Sequence, residues 1–289
     1  MAKLKMVENG NLNVLMPKLM RLRAYDMNIE KNRRTWGWTA GISFALGFIG
    51  LLVAGFSAEA GVSTLIFVVP GVFGAVSLIA LIVYLVYMMR DLDNRKLDAA
   101  TKLVEMIGQD VPPARSMALF IDFGNYNKAG KLLSKEGGWT SVREMTYEHP
   151  WFKFSGALYD GNRFELEVTQ CVKRKEKPKR KYTKVKEKIV EKAVLSLKLN
   201  PRLYPAPTQV AEQVTTGHLP HGINVSRALG RERVLKIAAT TPAAVIVTGR
   251  YGKTGDESNL FDGNKLLGLI IDAYAGLQKS RPAEGAAQA

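Results

Sequence analysis

The residue types with the most binding chemistry in this chain are lysine and arginine. In "VKRKEKPKRKYTKVKEKIV", residues 172–190, ten Lys or Arg stand against two Glu. Lys173, Arg174, Lys175, Lys177, Lys179, Arg180, Lys181, Lys184, Lys186 and Lys188 can hold phosphates or carboxylates by charge and hydrogen bonding. Groups that break bonds are sparser, and none completes a signature. "VIVTGRYGKTGDESN" places Gly252-Lys253-Thr254 after an apolar run, but a phosphate cradle G-x-x-x-x-G-K-[ST] needs its first glycine where Val247 stands. His218 and His221, in "HLPH", could hold a metal ion with a third ligand, but two histidines in a Pro-containing loop do not make a site. Cys171, the single cysteine, has no identifiable base beside it and reads as a strand residue. A lone cysteine forms no internal disulfide, which suits a reducing compartment.

The stretch "AAVIVTGRYGKTGDESNLFDGNKLLGLI" resembles, over about thirty residues, the C-terminal end of Mrr-like restriction-endonuclease domains: a strand, a polar loop, then a helix opening on apolar-Asp-Gly-x-x-Leu. That resemblance implies a metal-dependent DNA-cutting site, made of an acidic residue and a following [DEQ]-x-K. No [DEQ]-x-K occurs after the apolar region, and Gln170-Cys171-Val172-Lys173 misses the spacing by one, so the activity is not carried over. Asp122 to Asn125, "DFGN", shares three residues with the kinase metal loop, but no H-R-D loop and no Gly-rich loop precede it. The residues therefore describe a non-enzymatic chain, with no cofactor and no metal site.

What positions the basic stretch begins near the other end of the chain. Trp38 to Phe56 is free of charge and would make roughly 28 Å of helix, close to the ~30 Å of a bilayer core. Ser63 to Met89 is also uncharged and longer, and Glu59 is the one charge between the two. These predict a two-helix transmembrane hairpin. Trp36 and Trp38 before the first span, and Tyr84 and Tyr87 at the end of the second, mark one bilayer face. Residues 1–36 carry eight Lys or Arg, and Arg90, Arg95, Lys96 and Lys102 follow the second span. The positive-inside rule puts both termini in the cytoplasm of a bacterial-type inner (plasma) membrane. No cleavable signal is expected, since the first 35 residues are polar and basic. Gly41, Gly47, Gly50, Gly71 and Gly74 permit close helix approach, within the hairpin or between two copies in a homo-oligomer. The spans hold no ionisable residue, so they read as an anchor.

The whole chain has 289 residues and a formal net charge of +15, which favours anionic partners. Its expected fold is α+β: the membrane hairpin, then a cytoplasmic domain with an antiparallel sheet, a long basic β-hairpin and flanking helices. Expected boundaries are 1–35 for a basic amphipathic segment, 36–90 for the hairpin, 91–113 for a helical linker, 114–278 for the domain and 279–289 for a disordered tail. In the first segment Leu15, Leu19, Leu22 and Ile29 recur at helical spacing. That stripe would lie on the membrane surface or pack on the protein itself. Phe164, Leu166, Val168 and Val172 alternate with polar residues, and after Pro178 so do Ile189, Ala193, Leu195 and Leu197, giving the two strands of the hairpin. "HPWFKFSGALYDGN" supplies a third strand with Asp160-Gly161 as a turn. "TQVAEQVTTG", "RALGRERVLKIAATT" and "DGNKLLGLIIDAYAGL" read as helices and "AAVIVTG" as a buried strand.

Tyr182 is the one aromatic residue between 165 and 203, so stacking of single-stranded bases is poorly provided for. The reading that follows is a membrane-anchored interaction or scaffold protein that meets anionic lipid or an acidic protein through Lys173–Lys188. A membrane-tethered nucleic-acid binder, and a divergent Mrr-like nuclease or nucleotide-dependent enzyme, are the alternatives.

Overall fold

A computed structural model describes residues 5–57, 65–90, 92–138, 141–201, 203–204, 208, 211–212, 224–250 and 252–279. Glu59, His218, His221, most of the helix expected at 208–217 and the tail from residue 280 lie outside them. The chain divides into two compact units, Met1–Lys18 with Asn94–Ala289, and Leu19–Asp93.

The smaller unit is a pair of long apolar helices. Helix α1 (Leu12–Ser57) starts in the other unit and runs unbroken through this one, and α2 (Leu65–Met88) returns beside it. Both are long and apolar enough to cross a membrane. Their contacts rise through the pair in antiparallel order. A Cβ on Gly50 would sit 3.0 Å from Pro70 Cγ, one on Gly47 3.3 Å from Phe73 Cβ, and one on Gly37 3.3 Å from the Tyr84 ring. Ser77 Oγ donates to Ala40 O at 3.0 Å. Trp36 and Trp38 thus share an end of the pair with Tyr84 and Tyr87. Away from this seam Phe44, Phe48, Ile49, Leu51, Ile79 and Ile82 are each more than half exposed. On α1 the stripe residues Leu15, Leu19 and Ile29 are buried, whereas Met20 and Met27 are exposed. Asp26 joins that stripe because its carboxylate accepts the Leu92 N–H at 3.1 Å.

The larger unit is an antiparallel sheet with helices on one face. Its strands are β1 (Lys5–Gly10), β2 (Met117–Asp122), β3 (Lys131–Glu136), β4 (Arg143–Ala157), β5 (Arg163–Pro178), β6 (Thr183–Lys198), β7 (Asn224–Arg231), β8 (Val234–Thr240), β9 (Ala244–Gly249) and β10 (Gly252–Gly255). Helices α3 (Asn94–Gly108) and α5 (Gly263–Lys279) pack together, and the single turn α4 (Tyr126–Ala129) follows β2. The long strands β4, β5 and β6 form a spine, flanked at one end by β1-β2 and β8-β7 and at the other by β3 and β9-β10.

Period-two alternation builds the core. Leu119, Phe154, Leu166, Leu195 and Ile237 stand side by side across five strands, all buried. At ~1.5–3 kcal/mol for each large apolar side chain, such rows carry the fold. A bulge between Pro150 and Phe152 inserts Trp151 into β4 and shifts the phase. His149, Trp151 and Phe152 are consequently all buried.

The basic hairpin and the third strand lie where the alternation predicts them. The α+β class with an open antiparallel sheet and a long apolar helix pair is the observed architecture. One segment differs. "RALGRERVLKIAATT" is not a helix but the strands β7 and β8, joined through Glu232 at φ 52°. Its Leu, Arg and Glu favour a helix, but Leu235, Ile237 and Ala239 alternate with exposed Lys236 and pair along β6, so tertiary burial overrides propensity. Lys5–Gly10 adds an edge strand paired along β2, and α3 is a domain helix with Leu97, Leu103 and Val104 buried.

Candidate anion-binding surface

The register of β5 against β6 sorts the ten basic residues of the hairpin. Lys173 stands opposite Lys188, Lys175 opposite Lys186, and Lys177 opposite Lys184. All six are on the sheet face away from the buried rows. Like charges placed directly opposite destabilise a sheet. The relief is small: Glu144 of β4 meets Lys175 at 2.5 Å and Lys173 at 3.5 Å. These lysines, Lys175 first, hold the Glu144 carboxyl below its ordinary range. Lys177, Lys184, Lys186 and Lys188 form no ion pair among the described residues. Lys179, Arg180 and Lys181 make the turn, closed by the Lys179 N–H donating to Tyr182 O at 2.8 Å.

Arg174 is placed elsewhere. It points to the helix-covered face, where Nη2 lies 2.8 Å from Glu176 and Nη1 3.2 Å from Glu187. The Tyr126 hydroxyl also donates to Glu187. Burial first, and then the Glu187 carboxylate, push the Tyr126 phenol up, so it stays a neutral donor. Arg174 is thus a structural cation above the cluster of Tyr126, Val172, Ile189 and Ile246.

A further polar cluster lies under the sheet, and sequence reading missed it. Asp122 Oδ2 receives Lys5 Nζ at 2.8 Å and lies 3.3 Å from His149 Nε2, while Oδ1 accepts the Gly124 N–H at 2.9 Å. Burial alone would raise the Asp122 carboxyl, but these partners together hold it below its usual range. Burial, and then the nearby Lys96 cation, push His149 down, so the imidazole is neutral. Lys96 donates to Asp122 O at 3.1 Å and sits over the Trp151 ring at 5.6 Å. Beside it Arg95 grips Glu191 with two bonds of 2.8 and 2.9 Å, and Glu191 accepts the Phe261 N–H at 2.8 Å. The cluster ties β1, β2, β4, β6 and α3 together. In the "DFGN" stretch, Asp122 makes a turn and Asn125 caps α4.

The remaining motifs are also placed. Gly252-Lys253-Thr254 lies in β10, which folds back on β9 with Lys253 opposite Thr248. A strand there offers no helix N-terminus to cradle a phosphate. Cys171 lies on the open face, and burial raises its thiol, the reverse of an activated nucleophile. In the helix pair Gly47 and Gly50 line the seam, whereas a Cβ on Gly41, Gly71 or Gly74 would meet nothing within 4 Å.

No known protein family, curated protein or solved structure matches the chain.

Proposed function

We propose that the protein is a non-enzymatic, membrane-anchored interaction module. Its helix pair spans a plasma membrane with both termini in the cytoplasm, and the lysine face of β5 and β6 binds anionic lipid headgroups. The observation that carries this reading is the set of three opposed lysine pairs. Each costs a few tenths to ~1 kcal/mol of folding stability, and a binding role would offset that cost. Each lysine brought close to an anionic surface contributes ~1 kcal/mol of attraction. The apolar side chains turned outward from α1 and α2 support the membrane anchor, since so large an apolar patch is unusual on a surface facing water. The open sides of Gly41, Gly71 and Gly74 are where a second copy would pack.

The full chain in nanodiscs of neutral lipid tests this directly. Mixed with vesicles containing anionic lipid at physiological salt, it should co-float with them, and the variant Lys175→Ser, Lys186→Ser, Lys188→Ser should do so several-fold less. If wild type ignores those vesicles and binds duplex DNA tightly instead, the surface serves nucleic acid and the lipid reading fails.

A further inference from the structure

The open face carries a fourth opposed cationic pair at its far end. Arg163 begins β5 directly opposite Lys198, the last residue of β6. Neither forms an ion pair among the described residues. Together with Arg115 they line an open cavity of 840 Å³. Small side chains line it where the strands meet: Ala118 is opposite Ser155, and Ser196 also faces it. Glu165 also lines the cavity, with its carboxylate paired to Lys153 at 2.6 Å. The volume lies within the ~300–1,000 Å³ of small-molecule sites.

The pair is held in place from behind. Asn162, fully buried and next to Arg163, donates to Asp160 Oδ2 at 2.6 Å and accepts the Asn200 N–H at 2.6 Å. Asn200, two residues after Lys198, donates its side chain to Asp160 O at 3.2 Å, and the Tyr204 hydroxyl reaches Asp160 Oδ2 at 3.3 Å. These bonds lock the start of β5 to the end of β6. The backbone positions that carry Arg163 and Lys198 are thereby fixed opposite each other, and Ser155 and Ser196 line the same cavity.

We propose that this cavity binds a phosphorylated small molecule of nucleotide or sugar-phosphate size, its phosphate held by Arg163, Lys198 and Arg115. One cation suffices for a monoanionic carboxylate, whereas three around one concavity match a dianion. The guanidinium fork fits phosphate oxygens in pairs. Ser155 and Ser196 supply neutral donors, and the wall toward Val234 takes the organic part. The site shares no residue with the lysine face, so it stands or falls separately from the lipid reading.

The test is isothermal titration of the full chain in neutral-lipid nanodiscs with AMP and with glucose 6-phosphate, each against its unphosphorylated parent. At least one phosphorylated compound is expected to bind saturably while its parent does not. Arg163→Gln with Lys198→Gln should weaken that binding at least tenfold, Arg115→Gln should weaken it less, and Lys175→Ser with Lys186→Ser should leave it unchanged. Arg163 and Lys198 are exposed, so the double variant should melt within a few degrees of wild type. Absence of saturable binding by both compounds overturns the proposal. So does equal binding by the Arg163/Lys198 variant, or an equal loss in the lysine-face variant.

Discussion

Glu191 and Arg95 show how much one buried pair can hold. Glu191 is fully buried in β6, and its two oxygens satisfy the Arg95 fork and the Phe261 N–H. Glu191→Ala takes the carboxylate away from a largely buried guanidinium and leaves the Phe261 N–H without its acceptor, so a loss of up to about 3–5 kcal/mol is expected in denaturant unfolding of the detergent-solubilised chain. His149 gives a pH dependence. Its folded pKa lies below its unfolded value, so the unfolded chain takes up the proton first as pH falls. Stability should therefore drop as pH falls through the ordinary histidine range near 6.5, and drop again once Asp122 protonates below 3.8. Melting temperatures between pH 7.5 and 5.5 should show the first step, and His149→Gln should flatten it. A slope unchanged by that substitution would assign the step to another group. These residues were legible in principle. Arg174, Glu176, Glu187 and Glu191 fall on the apolar phase of β5 and β6, and a charge on that phase signals a buried partner. Which partner it meets depends on α3 and α4, and alternation within one strand says nothing of them.

Among the elements, the spine strands β5 and β6 were the most legible, because sixteen residues each of period-two alternation leave no other economical packing. Their register turned a count of lysines into three opposed pairs, which composition alone could not show. Short elements were less legible. β7 and β8 carry helix-favouring residues, and β1 is a polar hexapeptide recognisable only by its pairing with β2. The bulge at Trp151 hid the fact that His149 and Phe152 face the same interior. In the helix pair Gly41, Gly47, Gly50, Gly71 and Gly74 looked equivalent, but of these five only at Gly47 and Gly50 would a Cβ meet the facing helix. Gly50→Val pushes a side chain into Pro70, and such overpacking costs about 1–3 kcal/mol. Gly74→Val enters open space and should leave the monomer's detergent melting temperature nearly unchanged. Equal effects of the two would mean that the seam is not where Gly50 and Pro70 place it.

At the scale of the whole molecule, the proposed anchor is the pair of apolar helices, and the proposed anion-binding surface is the cationic open face of the sheet. Six of the 41 basic residues stand where stability gains least from them, as lysines that repel one another across β5 and β6. Their repulsion links stability and binding in opposite directions, and Lys186→Glu tests that link. The substitution turns the Lys175–Lys186 repulsion into an attraction, so unfolding free energy should rise by roughly 0.2–1 kcal/mol. Binding of the full chain, in neutral nanodiscs, to anionic vesicles at 0.15 M salt should fall several-fold in the same variant. A variant that is stabilised yet binds those vesicles as tightly as wild type would contradict the account.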